Sequence, residues 1–473
     1  MIKYLIPEER GGSMAEQDQN LLTVGSVPRK MLTFALPIFL SNLFQQLYNA
    51  VDSLIVGRFI GEQALAAVSS SSSLIMLLTG FINGLSLGAG VLIARFYGAQ
   101  DDDRVERAVH TTLALGIAAG AVLTLLGSIL APQILRWIGT PPDVIDSSTA
   151  YFRTYFLGCA AVVLYNMAAS ILQSVGDSRS PMLYLIAASL TNVVLDLLFV
   201  AVFHWGVGSA ALATILSQIL SAGLALGKLT RSAGRSYRIR WRRVRFEGPM
   251  LKQVVTLGVP SGVQNSVVSL ANVIVQANIN VFGSSAMAGC GAYSKIEGFA
   301  FLPVTCFALA LSTFVSQNIG AQRYDRVKAG MKFGLLCSPL LAEGIGVCIF
   351  FLSPQLISLF NDHPEVIAFG VNYAHTAALF YFLLAFSHCC AGILRGMGRP
   401  IVPMAVMLTV WCAIRITYIT LTVRLIPSIQ VVYWAYPLTW TISSVLFALF
   451  LSRLRFPPME GEGHPDAVRS AAP

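Results

Sequence analysis

Charged side chains are scarce in this 473-residue chain, because Asp, Glu, Lys and Arg together make up only 12% of it. Soluble domains carry roughly 25% charged residues, which cover their surface with groups that water solvates. Hydrophobic residues reach 55%, and the mean hydropathy is +0.68. These values exclude a soluble multidomain protein, a disordered chain and a collagen-like fibre. The composition predicts a polytopic, all-α membrane protein.

Motifs for enzyme chemistry and for bound metals are also missing. The eight cysteines all fall in apolar segments without metal-ligand spacing, so we interpret them as small buried hydrophobic residues. The stretch GLALGKLT at 223–230 is one residue too short for a phosphate-binding loop, and Leu229 stands where Ser or Thr would bind magnesium. No metalloprotease or serine-hydrolase motif is present. We therefore expect no enzyme activity and no cofactor, and an ion gradient as the energy source.

Apolar runs long enough to cross a bilayer, roughly 20 residues each, occur about twelve times along the chain. They lie near 30–56, 65–94, 107–131, 149–173, 181–203, 207–228, 251–280, 286–315, 327–352, 366–394, 400–424 and 429–452. The N-terminus is polar, so we expect no signal peptide, and Met14 is an alternative start. The predicted organisation is a tail (1–28), a first lobe (29–229), a basic linker (230–250), a second lobe (251–453) and a second tail (454–473).

The net charge of +9 comes from Lys and Arg concentrated in alternate joints between the apolar runs. Cytoplasmic loops carry such an excess, so we expect a cell-membrane protein with both termini in the cytoplasm. No basic face on a folded domain is visible, so nucleic acid is not an expected partner. The longest joint, RSAGRSYRIRWRRVRFEG at 231–248, is interpreted as a topology anchor, with recognition of lipid headgroups as the alternative.

The two halves of the chain repeat one another. Gly98-Ala99-Gln100 recurs 222 positions later as Gly320-Ala321-Gln322, and Pro142-Asp143-Val144-Ile145 recurs at the same offset as Pro364-Glu365-Val366-Ile367. Each copy holds an even number of spans, so both copies have the same orientation in the membrane. This arrangement predicts two six-helix lobes related by a pseudo-twofold axis along the membrane normal, facing each other across a central cleft.

Polar side chains inside the first-half spans mark a candidate ion site, because such groups are costly in a membrane. A stripe on one face of the first span consists of Asn42, Gln45, Asn49 and Asp52. The fifth span carries Asn192 and Asp196, the sixth carries Thr214, and the helical rise places Asp52, Asp196 and Thr214 at similar depth. Such oxygens can take up a proton or bind a hard cation; the alternative is a packing network. Pro37, about four turns before Asp52, is a candidate hinge.

The second half keeps a polar stripe but not the acids. The stripe on the seventh span consists of Asn265, Asn272 and Gln276, and Val275 replaces the aspartate. Charges appear instead as Lys295 and Glu297 on the eighth span and Arg415 on the eleventh. Glu297 and Arg415 lie at similar depth, so we favour a structural pair between helices, with a substrate or coupling site as the alternative.

These motifs together resemble the multidrug and toxic compound extrusion (MATE) family over about 28–455. The resemblance rests on the Pro37…Asp52 spacing, the GAQ…DRV loop after the second span, the Gly176-Asp-x-x-x-Pro181-Met182 joint, TNVVLD at 191–196 and the small-residue run that ends at Thr214. It implies a V of two lobes, alternating access, and export of small cationic amphipathic compounds against H⁺ or Na⁺. It also implies a cation site of Asp52, Asn192, Asp196 and Thr214 with Tyr151.

One departure from the family concerns the second lobe, since the seventh and tenth spans carry no acids. A sodium site there is therefore not expected, which favours protons as the coupling ion. We expect a monomer whose partners are the substrate and the lipid bilayer. The alternatives are a lipid-linked saccharide flippase of the same superfamily, disfavoured by its larger span number, and a non-transporting membrane enzyme or scaffold.

Overall fold

The structure is a computed structural model that describes residues 21–60, 62–137, 140 and 144–454, of which 62–74 by their backbone alone. Within these ranges the protein is helical, and it contains no β-strands there. The α-helices are α1 (Val27–Phe59), α2 (Glu62–Gly98), α3 (Asp102–Trp137), α4 (Ile145–Leu157), α5 (Cys159–Ser174), α6 (Arg179–Asp196), α7 (Gly208–Arg231), α8 (Gly248–Asn280), α9 (Ser284–Gly320), α10 (Tyr324–Ser358), α11 (Pro364–Ala377), α12 (Tyr381–Gly396), α13 (Ile401–Met407), α14 (Arg415–Leu425) and α15 (Gln430–Ser452). The alternative start Met14, the repeat residues Pro142 and Asp143, and most of both predicted tails lie outside the described residues.

Ten segments of the described chain are long and apolar enough to cross a membrane, and α4 with α5 form an eleventh that is bent by 45°. Helix α1 is 33 residues long, about 50 Å, but its polar stripe lowers its hydropathy and keeps it outside this set. With α1 included, the arrangement agrees with the predicted all-α fold of about twelve spans.

Several spans, the fourth and the eleventh among them, depart from the straight helices that the sequence predicts. The fourth breaks at Gly158, where the side chain of Ile215 from α7 occupies the space that a Cβ would take. The eleventh consists of α13, a π-helical segment at Leu408–Ile414 and α14. The break at Gly158 depends on packing against α7, which the hydropathy of a single segment does not report.

The repeat is visible in the backbone as well as in the sequence. Helix α2 and helix α9, two elements of equal length, begin and end 222 positions apart. Each is followed by a glutamine in the left-handed region, Gln100 with φ 55° and Gln322 with φ 57°. Gly176 (φ 90°) and Gly398 (φ 80°) have positive φ at the same offset. The two halves therefore use the same turns as well as the same helices.

The two lobes, α1–α7 and α8–α15, meet mainly where α2 packs along α8. A Cβ at Gly84 would collide with the backbone of Gly262, and one at Gly88 with the backbone of Gly258. Small residues four apart let membrane helices approach this closely. On α2, the hydrogen bonds between lobes within the described residues lie from Leu77 onward, towards the end that carries the basic loops. The lobes are therefore closed at the basic-loop end.

Candidate cation site

The structure brings Asp52 of α1 and Asp196 of α6 together, because these two helices pack against each other in the first lobe. The two carboxyl groups adjoin closely enough for one proton to bridge them. Asp196 is fully buried, and neither of its oxygens has a hydrogen-bond partner among the described residues. Oδ1 of the half-buried Asp52 is likewise without a partner there. Two carboxylates cannot hydrogen-bond each other without a proton, so the pair needs a proton or a cation.

Asn192 lies one helical turn before Asp196 and is also fully buried. Its amide nitrogen and oxygen have no hydrogen-bond partner within the described part of the chain. Leaving a buried polar group unpaired costs about 1–3 kcal/mol. The unpaired oxygens of the two acids, with the unpaired amide of Asn192 one turn away on the same helix as Asp196, therefore fit a proton or a hard cation such as sodium. The described side chains contain no cluster of three or more His, Cys, Asp or Glu that could hold a metal ion.

A π-helical segment, Leu197–Val202, begins directly after Asp196. Such segments shift the backbone hydrogen bonds by one residue and are frequent at functional sites. Here the segment ends the regular helix at the residue whose carboxylate faces Asp52, so the local backbone departs from α geometry beside the acidic pair.

Two tyrosines adjoin the acidic pair. Tyr151 of α4 is buried and lies near both acids. Tyr48, one turn before Asp52, also lies near both acids, and its hydroxyl neighbours Gln45 and the buried Gln218 of α7. The sequence interpretation missed Tyr48 and Gln218. The four-residue spacing from Tyr48 to Asp52 places them on one helix face and could have identified the tyrosine.

Thr214 is not joined to the acids by any contact of the described residues. Its hydroxyl instead donates to the carbonyl of Ala210 in the same helix, at 3.1 Å. Of the predicted site, the structure brings Asp52 and Asp196 together beside Tyr151. Asn192 lies one turn from Asp196 on the same helix. The hydroxyl oxygen of Thr214 keeps its lone pairs available while its hydrogen is donated to Ala210.

The polar stripe of α1 also separates into different environments. Asn42 donates its amide to the Sγ of Cys306 in α9, at 3.1 Å, and so connects the two lobes. Asn49 is exposed, one turn before the acidic pair on the same helix. Pro37 is buried inside α1, and the helix continues through it.

The stripe of the second lobe lies on α8. Asn265 donates to the carbonyl of Gly80 on α2, at 3.2 Å, and therefore belongs to the contact between lobes. Asn272 is exposed, and Gln276 donates to Oδ1 of Asn280, at 2.9 Å.

The three second-lobe charges do not form a direct cluster. Arg415 donates through Nε and Nη2 to the hydroxyl of Thr439, at 3.1 and 2.8 Å, and its guanidinium lies 4.4 Å from the ring centroid of Tyr436. Glu297 is buried near Tyr293, and no salt bridge joins it to Arg415 within the described residues. Lys295 is exposed, with its ammonium 5.8 Å from the ring centroid of Phe360. In the second lobe, Arg415 is thus stabilised by hydrogen bonds to Thr439 and by the ring of Tyr436.

Comparison with known proteins places both halves in one family. The family model MatE matches residues 37–198 and 260–420, one match in each lobe. The probable multidrug resistance protein YoeA of Bacillus subtilis is 30% identical over 396 residues, covering 82% of this chain and 85% of that protein. The probable multidrug resistance protein YpnP of the same organism is 28% identical over 382 residues, covering 80% and 84%.

Among solved structures, a MOP superfamily transporter from Pyrococcus furiosus shares the fold, with a TM-score of 0.85. The alignment covers 91% of this chain and 96% of that one, at 20% sequence identity. At this identity the likeness concerns the fold, and it confirms the predicted all-α architecture.

Proposed function

Since this chain belongs to the MatE family, the multidrug and toxic compound extrusion transporters that its sequence resembles, we propose that it exports cationic amphipathic drugs and toxic compounds in exchange for H⁺ or Na⁺. The observation that carries the proposal is the pair of the half-buried Asp52 and the buried Asp196, in which Oδ1 of Asp52 and both oxygens of Asp196 lack hydrogen-bond partners among the described residues. An ion that binds to this pair changes the net charge inside the first lobe, which can couple ion entry to a conformational change. Because the family consists of transporters, the enzyme and scaffold alternatives have no support.

The orientation follows from the basic loops, which we place in the cytoplasm together with both termini. The lobes are closed at the basic-loop end, where Gly84 and Gly88 of α2 meet α8. In this orientation the cytoplasmic side is sealed and the cleft opens to the outside. One chain supplies both lobes and the cleft, so a monomer suffices for alternating access.

Coupling would begin when an ion from outside reaches Asp52 and Asp196. A proton held between the two carboxyl groups removes their mutual repulsion and lets α1 approach α6. Pro37 interrupts the backbone hydrogen bonds of α1 and allows the helix to bend there. The approach would narrow the first-lobe side of the cleft and displace a bound cation. The ion drives this change only to the extent that it binds the bent form more tightly than the straight one.

The choice between the two ions favours the proton. Sodium prefers several oxygen ligands, and the second lobe offers no acids on α8. A single proton shared by two adjoining carboxyl groups needs no further ligand.

Proteoliposomes containing the purified protein can separate these alternatives. With a pH gradient and no sodium, we expect transport of a cationic dye with a counter-flux of protons, and we expect nigericin to abolish it. Transport that requires sodium and ignores the pH gradient would refute the proton assignment while leaving the site intact. Absence of dye transport under either gradient, with the Asp52 and Asp196 pair present, would contradict the proposed export of cationic compounds.

A further inference from the structure

The segment between α7 and α8, residues 232–247, which we call the arginine linker, is fixed to the first lobe. Ile239 is buried, and its backbone N–H donates to the carbonyl of Leu229, at 3.1 Å. The backbone N–H of Arg240 donates to Nε2 of His110 on α3, at 2.9 Å. The linker therefore has a defined inner side packed on α3 and α7 and a defined outer side.

Acidic residues neutralise only part of the linker's positive charge. Glu106 of α3 accepts from Arg243, at 2.7 Å, and lies 3.5 Å from Arg240. Arg242 and Arg245 are exposed and have no acidic partner within the described residues. Two arginines of the outer side are thus left with unbalanced charge.

The outer side also carries large aromatic residues beside these arginines. Trp241 is 51% exposed and Phe246 is 52% exposed. Tryptophan is enriched at the boundary between lipid headgroups and acyl chains, because its ring is apolar and carries an N–H that can reach the wet side. Phe246 adds exposed apolar surface beside it.

The helices that flank the linker place it at headgroup level. Helix α7 has 24 residues, about 36 Å, and ends at Arg231. The hydrocarbon core of a bilayer is about 30 Å thick, so the end of α7 reaches just beyond it. Helix α8 begins at Gly248, directly after the linker, so the linker joins the ends of two helices that are long enough to span the membrane.

We propose that the outer side of the arginine linker binds the headgroups of anionic phospholipids. Arg242 and Arg245 pair with the lipid phosphates, while Trp241 and Phe246 lie at the boundary with the acyl chains. Arginine near an anionic membrane surface is attracted by about 1 kcal/mol each. The aromatic residues at headgroup level favour lipid over a soluble acidic protein as the occupant.

The test uses the full-length protein in phosphatidylcholine vesicles that contain brominated phosphatidylglycerol or, at equal mole fraction, brominated phosphatidylcholine. Bromine quenches nearby tryptophan, and the difference between the wild type and Trp241→Phe isolates the signal of Trp241. We expect stronger quenching by the anionic lipid. Arg242→Gln with Arg245→Gln should weaken the apparent association roughly 30-fold, about fivefold for each arginine. Arg242→Lys with Arg245→Lys should retain most of it.

A matched control removes two exposed arginines elsewhere at the same end of the molecule, Arg179→Gln with Arg453→Gln. This variant has the same net charge as the linker variant and should keep the preference for anionic lipid. Equal quenching of wild-type Trp241 by both lipids would overturn the proposal. Equal loss in the control and linker variants would also overturn it, because the preference would then follow net charge alone.

Discussion

At the scale of single residues, Arg326 and Asp196 show two ways in which a charge is accommodated inside the protein. Arg326 donates to the carbonyl oxygens of Gly25 and Leu22, at 2.7 and 3.0 Å, and to Oδ1 of Asn318, at 3.1 Å. Asp196 has no such partners among the described residues. Removing an ion from water costs several kcal/mol unless other groups compensate. Arg326 is therefore a structural charge, whereas Asp196 requires a ligand from outside the chain.

We expect Asp52→Asn and Asp196→Asn each to abolish ion-driven dye export while leaving the protein folded. Each substitution removes an acid but keeps the shape of the side chain. Export from vesicles under a pH gradient measures the effect, and size-exclusion chromatography checks folding. Glu297→Gln is the matched control, a buried acid of the other lobe, and should retain most of the activity. Wild-type export by both aspartate variants would show that the first-lobe pair only packs the helices.

Sequence reasoning located the acids because a carboxylate in an apolar run is conspicuous and helical spacing fixes its face. It therefore placed Asp52, Asn192 and Asp196 together. It missed Tyr48, because a tyrosine in a membrane span is not conspicuous in itself. It could not show that the hydroxyl of Thr214 donates to the carbonyl of Ala210, a bond that threonine in a helix often makes to its own backbone.

At the scale of helices, the contact between α2 and α8 depends on glycine rather than on interlocking side chains. We expect Gly84→Ala to destabilise the protein by about 1–3 kcal/mol, since the added methyl group meets the backbone of Gly262. Thermal unfolding in detergent measures this effect.

Gly223→Ala on α7 is the control, because a Cβ at Gly223 would meet nothing within 4 Å. That change should leave stability unchanged or raise it slightly, by up to about 1 kcal/mol from helix propensity. Equal destabilisation by both substitutions would contradict the close contact of α2 with α8.

The residues before α1 form a second connection at the same end, a strap of residues 21–25. The backbone N–H of Leu22 donates to Oε1 of Gln317 in α9, at 2.9 Å, and Arg326 binds the carbonyl of Leu22. We expect Arg326→Gln to cost about 1–3 kcal/mol, because it removes the charge-assisted hydrogen bonds from the guanidinium to Leu22, Gly25 and Asn318. Thermal unfolding again provides the measurement.

Arg323→Gln is the matched control for the strap, since Arg323 is exposed and its side chain, among the residues that the structure describes, pairs only with Asp325, at 3.2 Å. It should change stability by less than about 1 kcal/mol. If the two arginine variants lose equal stability, the strap contributes nothing beyond surface charge.

At this scale the sequence predicted the helices well, because the length of an apolar run follows directly from the thickness of the bilayer. It did not predict the break at Gly158 or the π-helical segment after Asp196. The break at Gly158 depends on Ile215 packing from another helix, and contacts of that kind are not contained in the periodicity of one segment.

At the scale of the whole molecule, the two lobes share turns and helix lengths but differ in chemistry. The first lobe carries paired acids, and the second carries Arg415 held by Thr439. The repeat predicted the common architecture. It could not predict the difference in function, because equivalent positions in the two halves have different side chains, as Asp52 and Val275 do.

The predicted orientation places the arginine linker in the cytoplasm. A cysteine introduced at Ser236 should therefore resist a membrane-impermeant maleimide in intact cells and react in inverted vesicles. The unmodified protein, which contains eight cysteines, supplies the background signal. Ready labelling of the Ser236→Cys variant from outside would show that the proposed topology is reversed. The cleft would then open to the cytoplasm instead of the outside.

The position of Asp196 along its span determines how the electrical potential of the membrane acts on transport. The span Arg179–Val202 has 24 residues, about 36 Å, and Asp196 lies about 9 Å from its outer end in the proposed orientation. A proton that enters from outside thus crosses roughly a quarter of the voltage before it binds. Moving one charge across the full potential of 100 mV changes its free energy by about 2.3 kcal/mol. About 1.7 kcal/mol of this change therefore falls on the steps that follow proton binding. An inside-negative potential should therefore mainly accelerate the conformational change that turns the protonated site towards the cytoplasm. Its effect on the affinity for the proton should be much smaller.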